Sequence, residues 1–106
     1  MRSLYVLKNP GENPKILSID QSDRRVYVDG HECALTRQEY SLLTELAEHT
    51  DVPVSRENIL KNAWGFLSMG ETRTVDVHVQ RLRRKLGHDA IETVYRIGYR
   101  LCAEAV

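Results

Sequence analysis

The clearest pattern of apolar and polar positions lies in residues 72–86. Four branched apolar side chains fall on one side of a helix drawn at about 100° per residue, namely Val75, Val79, Leu82 and Leu86. Gly87 follows directly, and glycine is the residue that most often ends a helix. The sequence therefore predicts a helix from about Thr72 to Leu86 that buries this apolar stripe.

The opposite side of this helix is polar and carries an excess of positive charge. It comprises Arg73, Asp76, Val77, Gln80, Arg81 and Arg84, with Thr74, His78, Arg83 and Lys85 on its flanks. An exposed helix usually mixes positive and negative side chains at spacings of three or four residues. The segment "RLRRK" instead places four cations in five positions without an acid. A solvated charged face is the ordinary alternative, but such a run of like charge favours an anionic partner.

Two shorter helices are predicted before this one. In "LTRQEYSLLTELAEHT", Thr36 and Glu39 have the spacing of a capping box, and apolar residues then recur at helical spacing. Ser55 can cap a second helix, "RENILKNAW", which Gly65 terminates. Residues 66–71, "FLSMGE", then form a loop with two large apolar side chains, Phe66 and Met69.

Strand patterns flank the three helices. "KILSI", "RRVYV" and "HECAL" read as strands, and Asp29-Gly30 between the last two is a strong hairpin signal. "IETVY" and "YRLCA" around "RIG" predict a closing hairpin. The expected fold is α+β: a winged helix-turn-helix with an N-terminal antiparallel sheet, three helices and a C-terminal β-hairpin wing over residues 15–106. Residues 1–14 are expected to be a leader or an extra strand, with no receiver domain.

Composition narrows the class of protein. The 106 residues carry 15 basic and 15 acidic side chains and are 42% apolar, as expected for one small globular domain. No apolar run approaches the roughly 20 residues that span a bilayer, and the N-terminal stretch is too short for a signal peptide. Cys33 and Cys102 lie far apart without CxxC spacing, which indicates free thiols. A cytoplasmic location is therefore predicted.

Charge is unevenly distributed, although the formal net charge is zero. Seven basic and three acidic residues lie between Arg73 and Arg100, against eight basic and twelve acidic residues elsewhere. Asymmetry of this kind indicates an electrostatic partner more clearly than the overall balance does. The positive segment coincides with the predicted third helix and wing.

The sequence predicts neither an enzyme nor a cofactor. Its Ser, His and acidic residues form no nucleophile elbow, and no glycine-rich phosphate loop is present. The histidines and cysteines lack the pair spacing of metal ligands, so no metal is expected. A helix with the third helix's width fits the DNA major groove, where Arg81 can pair with guanine, Gln80 with adenine and Asp76 with cytosine. A winged helix that binds protein through an apolar patch is the alternative.

Four blocks of sequence carry a resemblance to a known family. "RTVDVHVQRLRRKLG" with the following "IETVYRIGYRL", and the earlier "LTRQEYSLL" and "SRENILKNAWG", closely resemble the DNA-binding effector domain of OmpR/PhoB-type response regulators. The resemblance covers about residues 15 to 103. It implies a two-component (phosphorelay) transcription regulator that binds double-stranded DNA with its third helix in the major groove and its wing near a minor groove. It also implies a four-stranded N-terminal sheet.

The resemblance assigns roles to individual positions. Asp76, Val77, Gln80 and Arg81 match base-contacting positions. Trp64, Arg73, Thr74, His78, Arg83, Arg84, Thr93 and Tyr99 match backbone-contacting positions. Phe66, Leu67, Ser68, Met69, Gly70 and Glu71 match a loop that contacts RNA polymerase, often its sigma subunit. A head-to-tail homodimer on direct repeats is implied as well.

The chain departs from the family pattern at three points. Tyr95 and Arg96 stand where many members have Arg and then Gly, so Arg96 either turns away from the groove or reaches it from the turn tip. Gln80 replaces a frequent Arg, which should favour adenine over guanine. Residues 1–14 are too few for a receiver domain, so the chain is either an excised effector domain or a regulator that works without phosphorylation.

Overall fold

The computed structural model describes residues 2–8, 13–65 and 72–106. Its strands and helices are, in chain order, β1 (Arg2–Leu7), β2 (Lys15–Asp20), β3 (Arg25–Val28), β4 (His31–Cys33), α1 (Arg37–Ala47), β5 (Val54–Ser55), α2 (Arg56–Trp64), α3 (Thr72–Leu86), β6 (Ile91–Val94), β7 (Gly98–Leu101) and β8 (Ala103–Ala105). The expected α+β winged helix is confirmed. The loop expected at residues 66–71 lies outside the described residues.

An antiparallel sheet of five strands, in the order β4-β3-β2-β1-β8, forms one layer. The β3–β4 turn is made by Asp29 and Gly30, with φ of 51° and 84°, and these positive values are those of the primed turns that suit hairpins. β1 lies between β2 and the C-terminal β8. Within the segment expected to be a leader or an extra strand, Arg2–Leu7 form a strand of this sheet. The C-terminal strand is a fifth member beyond the four N-terminal ones.

The helices begin and end where local sequence chemistry dictates. Thr36 and Glu39 form the reciprocal capping box: Glu39 Oε1 accepts from the Thr36 N–H at 2.9 Å, and Thr36 Oγ1 accepts from the Glu39 N–H at 3.2 Å. Ser55 caps α2, which ends at Gly65 in the left-handed conformation, with φ of 72°. The observed bounds of α3 are those predicted from its apolar period.

The core lies between the five-stranded sheet and the helices. Every residue of the predicted α3 stripe is at most 1% exposed, which confirms that prediction. The stripe joins one continuous cluster with residues from β1, β2 and both other helices, including Leu7, Leu17, Leu42, Leu46 and Ile59. This packing fixes which face of α3 points to solvent.

A second sheet holds the wing against the start of α2. β7 pairs with β6 on one side and with the two-residue strand β5 on the other, with Gly98 opposite both Val94 and Ser55. Since β5 leads directly into α2, the wing is attached to the helix-turn-helix by backbone hydrogen bonds. None of the described helices is both long and apolar enough to cross a membrane.

Candidate nucleic-acid interface

The solvent face of α3 presents most of the side chains predicted to contact DNA bases. Val77, Gln80 and Arg81 are exposed, as are Arg73 and Arg84. Among the residues that the structure describes, Arg73, Arg81 and Arg84 form no ion pair. Their charge is thus uncompensated within the described part of the protein, and the face remains available to an anion.

Asp76 differs from the other predicted base-contacting residues because it has partners inside the protein. Its Oδ1 accepts from Arg56 Nε at 2.7 Å and from the Tyr99 hydroxyl at 2.5 Å. Burial raises the pKa of Tyr99, and the hydrogen bond to the Asp76 carboxylate raises it further, so the hydroxyl stays protonated and donates at neutral pH. Tyr99, matched by resemblance to a DNA-backbone contact, is 5% exposed. Its polar atom is directed at Asp76.

Arg83 and Thr93 join α3 to the wing. Arg83 Nε donates to the Ile91 carbonyl at 3.0 Å and its Nη2 donates to Thr93 Oγ1 at 2.8 Å. The guanidinium also lies 5.7 Å from the centroid of the Tyr99 ring, in cation–π range. Both residues were matched to DNA-backbone contacts. Those contacts stay predictions, and the structure adds a role in fixing the wing.

Lys85, on the flank of α3, is bonded inside the protein. Its Nζ lies 2.6 Å from Glu39 Oε1 and 2.9 Å from the Ala34 carbonyl oxygen, and Glu39 is 1% exposed. Burial would raise the pKa of Glu39, but hydrogen bonds from Lys85 and Thr36 outweigh it and hold the pKa below its ordinary value. The ammonium group of Lys85 thus neutralises a buried carboxylate, unlike the guanidinium groups on the exposed face of α3, which are unpaired within the described residues.

Trp64, Thr74 and His78 form a small group beside the exposed face. The Trp64 indole N–H donates to the Gln38 carbonyl at 3.1 Å, and its ring centroid lies 5.0 Å from that of His78. His78 Nδ1 is 2.9 Å from the Thr74 carbonyl oxygen. Because a carbonyl only accepts, Nδ1 carries a proton, and a phosphate contact through Nε2 would require the imidazolium. The DNA-backbone contacts of these three residues stay predictions.

The wing turn consists of Tyr95, Arg96 and Ile97. All three are exposed, and Tyr95 and Ile97 are 71% and 53% accessible. The structure has Arg96 in this turn, with its guanidinium 5.1 Å from the Tyr95 ring centroid, and whether it reaches a DNA groove stays a prediction. Its φ of 63° lies in the left-handed region, which a residue with a Cβ enters at a cost.

Sequence reasoning did not identify Arg56 as part of this surface. Arg56 is the first residue of α2, and its partners Asp76 and Tyr99 are 20 and 43 positions away along the chain. Only the folded arrangement brings the three together. The one signal available beforehand was an acid, Asp76, on an otherwise basic helix face.

The winged-helix fold and the cationic, solvent-facing third helix place this protein in the class of nucleic-acid-binding domains. Residues 30–101 match the family model described as "Transcriptional regulatory protein, C terminal". The chain belongs to this family, the OmpR/PhoB-type DNA-binding domains, and the resemblance seen in the sequence is confirmed.

Relatives and solved structures agree with this assignment. The chain is 44% identical over 90 residues to the transcriptional regulatory protein ResD of Bacillus subtilis (strain 168), covering 79% of this chain and 38% of ResD. It resembles the Klebsiella pneumoniae RstA DNA-binding domain, solved in complex with the RstA box, with a TM-score of 0.74 and 37% identity over 81% of this chain and 90% of that one. The DNA-binding domain of Bacillus subtilis CssR gives a TM-score of 0.71 and 40% identity over 80% and 98%.

The chain spans 38% of ResD and 37% of the Streptomyces avermitilis regulator CseB, to which it is 44% identical over 87 residues and 82% of its own length. The family is one of transcription regulators rather than enzymes.

Proposed function

We propose that this chain binds a specific duplex DNA sequence as the promoter-binding module of a transcriptional regulator. α3 would enter the major groove and the β6–β7 wing would approach the adjacent minor groove. The observation that carries the proposal is the exposed face of α3, where Gln80 and Arg81 are held outward by a fully buried stripe on the other side. A related domain solved with its DNA box supports it.

The proposed contacts divide according to their surroundings. Val77, Gln80 and Arg81 are exposed and read base edges, where guanine, adenine and the thymine methyl offer suitable partners. Arg73 and Arg84 are exposed and contact phosphates. The remaining backbone contacts suggested by the resemblance come from residues that also bond within the protein, namely Trp64, Thr74, His78, Arg83, Thr93 and Tyr99.

Arg81 and Arg84 provide a matched pair of substitutions on one helix. Arg81→Ala should cost about 1–3 kcal/mol of binding free energy and relax preference at one base pair, because a bidentate guanine contact is lost. Arg84→Ala should weaken all sequences alike and reduce the slope of log K against log salt by about 1. Fluorescence anisotropy on selected and scrambled duplexes at several salt concentrations measures both effects.

Arg25→Ala is the control, since it removes the same charge from β3 of the five-stranded sheet. Its affinity and salt slope should equal those of the wild type. If Arg81→Ala and Arg84→Ala also left both quantities unchanged, the assignment of α3 would be wrong. A protein-binding winged helix, the alternative, would show little salt dependence of this kind. That alternative requires an apolar patch, whereas Val77 is the only large hydrophobic residue exposed on α3 in the described part of the chain.

Arg96→Gly tests the wing. Glycine relieves the strained φ of 63° but gains entropy in the unfolded chain, so the free energy of unfolding should rise by about 0.5 kcal/mol. Loss of the guanidinium should at the same time weaken DNA binding. Arg24→Gly is the matched control, because Arg24 has a φ of 55° and lies in the exposed turn between β2 and β3. Equal DNA affinity of both glycine variants would exclude a wing contact by Arg96.

Two partners remain part of the proposal through the resemblance alone. One is a second copy bound head-to-tail on direct repeats, and the other is RNA polymerase, often through its sigma subunit, at residues 66–71. A Phe66→Ala, Met69→Ala double variant should retain DNA affinity and lose promoter activation in a reconstituted transcription assay. Unchanged activation would rule out these two side chains as the polymerase contact.

The proposal also includes a non-catalytic role in the cytoplasm. The two cysteines, Cys33 and Cys102, are unpaired, which suits a reducing compartment.

A further inference from the structure

A cluster of three side chains connects the three elements of the proposed DNA-reading surface. Arg56 begins α2, Asp76 lies in α3, and Tyr99 lies in β7 of the wing. Arg56 Nε and the Tyr99 hydroxyl both donate to Asp76 Oδ1, at 2.7 and 2.5 Å. The Arg56 guanidinium also lies 5.1 Å from the Tyr99 ring centroid and its Nη2 is 3.5 Å from the hydroxyl oxygen. Each member therefore contacts the other two.

The cluster leaves one carboxylate oxygen of Asp76 unused. Both donors converge on Oδ1, and Oδ2 has no hydrogen-bond partner among the described residues. The Asp76 side chain is 41% exposed, whereas that of Arg56 is 33% exposed and Tyr99 as a residue is 5% exposed. The supporting groups thus lie deeper than the group they hold.

The positive charge of Arg56 reduces the electrostatic repulsion expected between Asp76 and DNA phosphates. An aspartate placed in the major groove approaches phosphates of the same sign, which opposes binding. Arg56 offsets this repulsion while leaving an acceptor oxygen available. Holding Oδ1 at two points also fixes the plane of the carboxylate, so the acceptor does not need to be ordered when DNA binds.

We infer that Arg56 and Tyr99 are positioning residues that set the base preference of Asp76, by presenting Oδ2 in one orientation to a cytosine amino group. This inference rests on the proposed function, since it concerns how the DNA-binding face reads one base pair. It assigns specificity to two residues that touch no base: one in α2 and one in the wing.

The experiment first identifies the base pair that Asp76 contacts. It then substitutes the two residues that hold Asp76 in place. Duplexes selected by the wild-type protein define the site, and the isosteric Asp76→Asn identifies the base pair whose preference changes. Four duplexes that differ only at this base pair are then titrated with Tyr99→Phe, which removes one hydroxyl and retains the ring that contacts Arg56 and Arg83. Arg56→Lys provides a second variant that keeps the charge and loses the planar fork.

Discrimination among the four duplexes should fall about fivefold in each variant, the size expected from one lost hydrogen bond. Preference at the base pair read by Arg81 and the salt slope should not change. A role limited to stability would weaken all four duplexes equally, and that result, like unchanged discrimination, overturns the inference. A further outcome is that the wild-type protein binds with sequence preference while Asp76→Asn leaves every base preference unchanged. In that case the inference would fail and the proposed function would stand. A wild-type protein without sequence preference would instead overturn the proposed function.

Discussion

Replacing Gly98 with alanine is expected to destabilise the protein by about 3 kcal/mol, the largest effect of any single substitution considered. A Cβ at this position would overlap the carbonyl oxygen of Val54 and approach the Val54 carbonyl carbon to 2.8 Å and Ser55 Cα to 2.9 Å. All three atoms belong to the backbone, so no side-chain rotation relieves the clash. β5 must separate from β7, and this displaces the start of α2 and the neighbouring Tyr99. Urea denaturation measures the loss.

Gly65→Ala is the matched control for this prediction. Gly65 also has a positive φ, of 72°, but a Cβ there meets no atom of the described residues within 4 Å. Only the conformational cost of about 1 kcal/mol remains. Equal destabilisation by the two substitutions would show that the close approach of β5 and β7 contributes nothing.

Lys85→Met is expected to destabilise the protein by about 2 kcal/mol at neutral pH. The methionine keeps most of the aliphatic stem and removes the ammonium group 2.6 Å from the buried Glu39. Within the described residues the carboxylate would then keep its bonds from Thr36, whose backbone N–H donates to Oε1 at 2.9 Å. Losing one partner of a buried pair leaves an uncompensated charge, although the 35% exposure of the Lys85 side chain reduces the penalty.

The same substitution should change the pH dependence of stability. Because the pKa of folded Glu39 is lowered, the unfolded chain binds more protons at acidic pH, and the contribution of the pair is lost as pH falls. The loss begins near the ordinary glutamate pKa of about 4.3 and is complete below the folded pKa. The difference in unfolding free energy between wild type and Lys85→Met should therefore be largest at pH 7 and should shrink as the pH falls below the ordinary glutamate pKa of about 4.3.

Arg84→Met, the neighbouring substitution, is the control, because Arg84 is exposed and forms no ion pair within the described residues. It should change the unfolding free energy by less than about 0.5 kcal/mol at either pH. A Lys85→Met effect of the same size at both pH values would contradict the assigned role of the Glu39–Lys85 pair.

Local patterns allowed much of the fold to be predicted. α3 has an unbroken apolar period and a glycine stop, and its predicted and observed bounds are the same. The Thr36–Glu39 capping box and the Asp29-Gly30 turn are equally local, because each involves residues at most three positions apart. β5 and β8 were missed because strands of two and three residues are too short to show a period. Their existence depends on pairing with β7 and β1.

The exposure of the residues proposed to contact bases followed from the same periodicity, whereas the ion-pair partners of the cations did not. Sequence places Arg81, Arg83 and Lys85 in one basic run, and the structure separates them. Arg81 faces solvent, Arg83 binds the wing, and Lys85 binds Glu39, which is 46 positions away. Long-range partners of this kind are decided by helix packing, which a single sequence does not reveal.

The bonds from Arg83 to Ile91 and Thr93 join α3 directly to the first strand of the wing before any ligand is present. Binding of a ligand then costs little conformational entropy of α3 and the wing, because folding already fixes the relative position of the two elements. Within the described residues, the entropic penalty of binding measured by calorimetry should accordingly come mainly from exposed side chains and from the wing turn at residues 95–97. If the hydrogen bonds of Arg83 were removed by substitution, the wing would have to be ordered against α3 during binding rather than during folding.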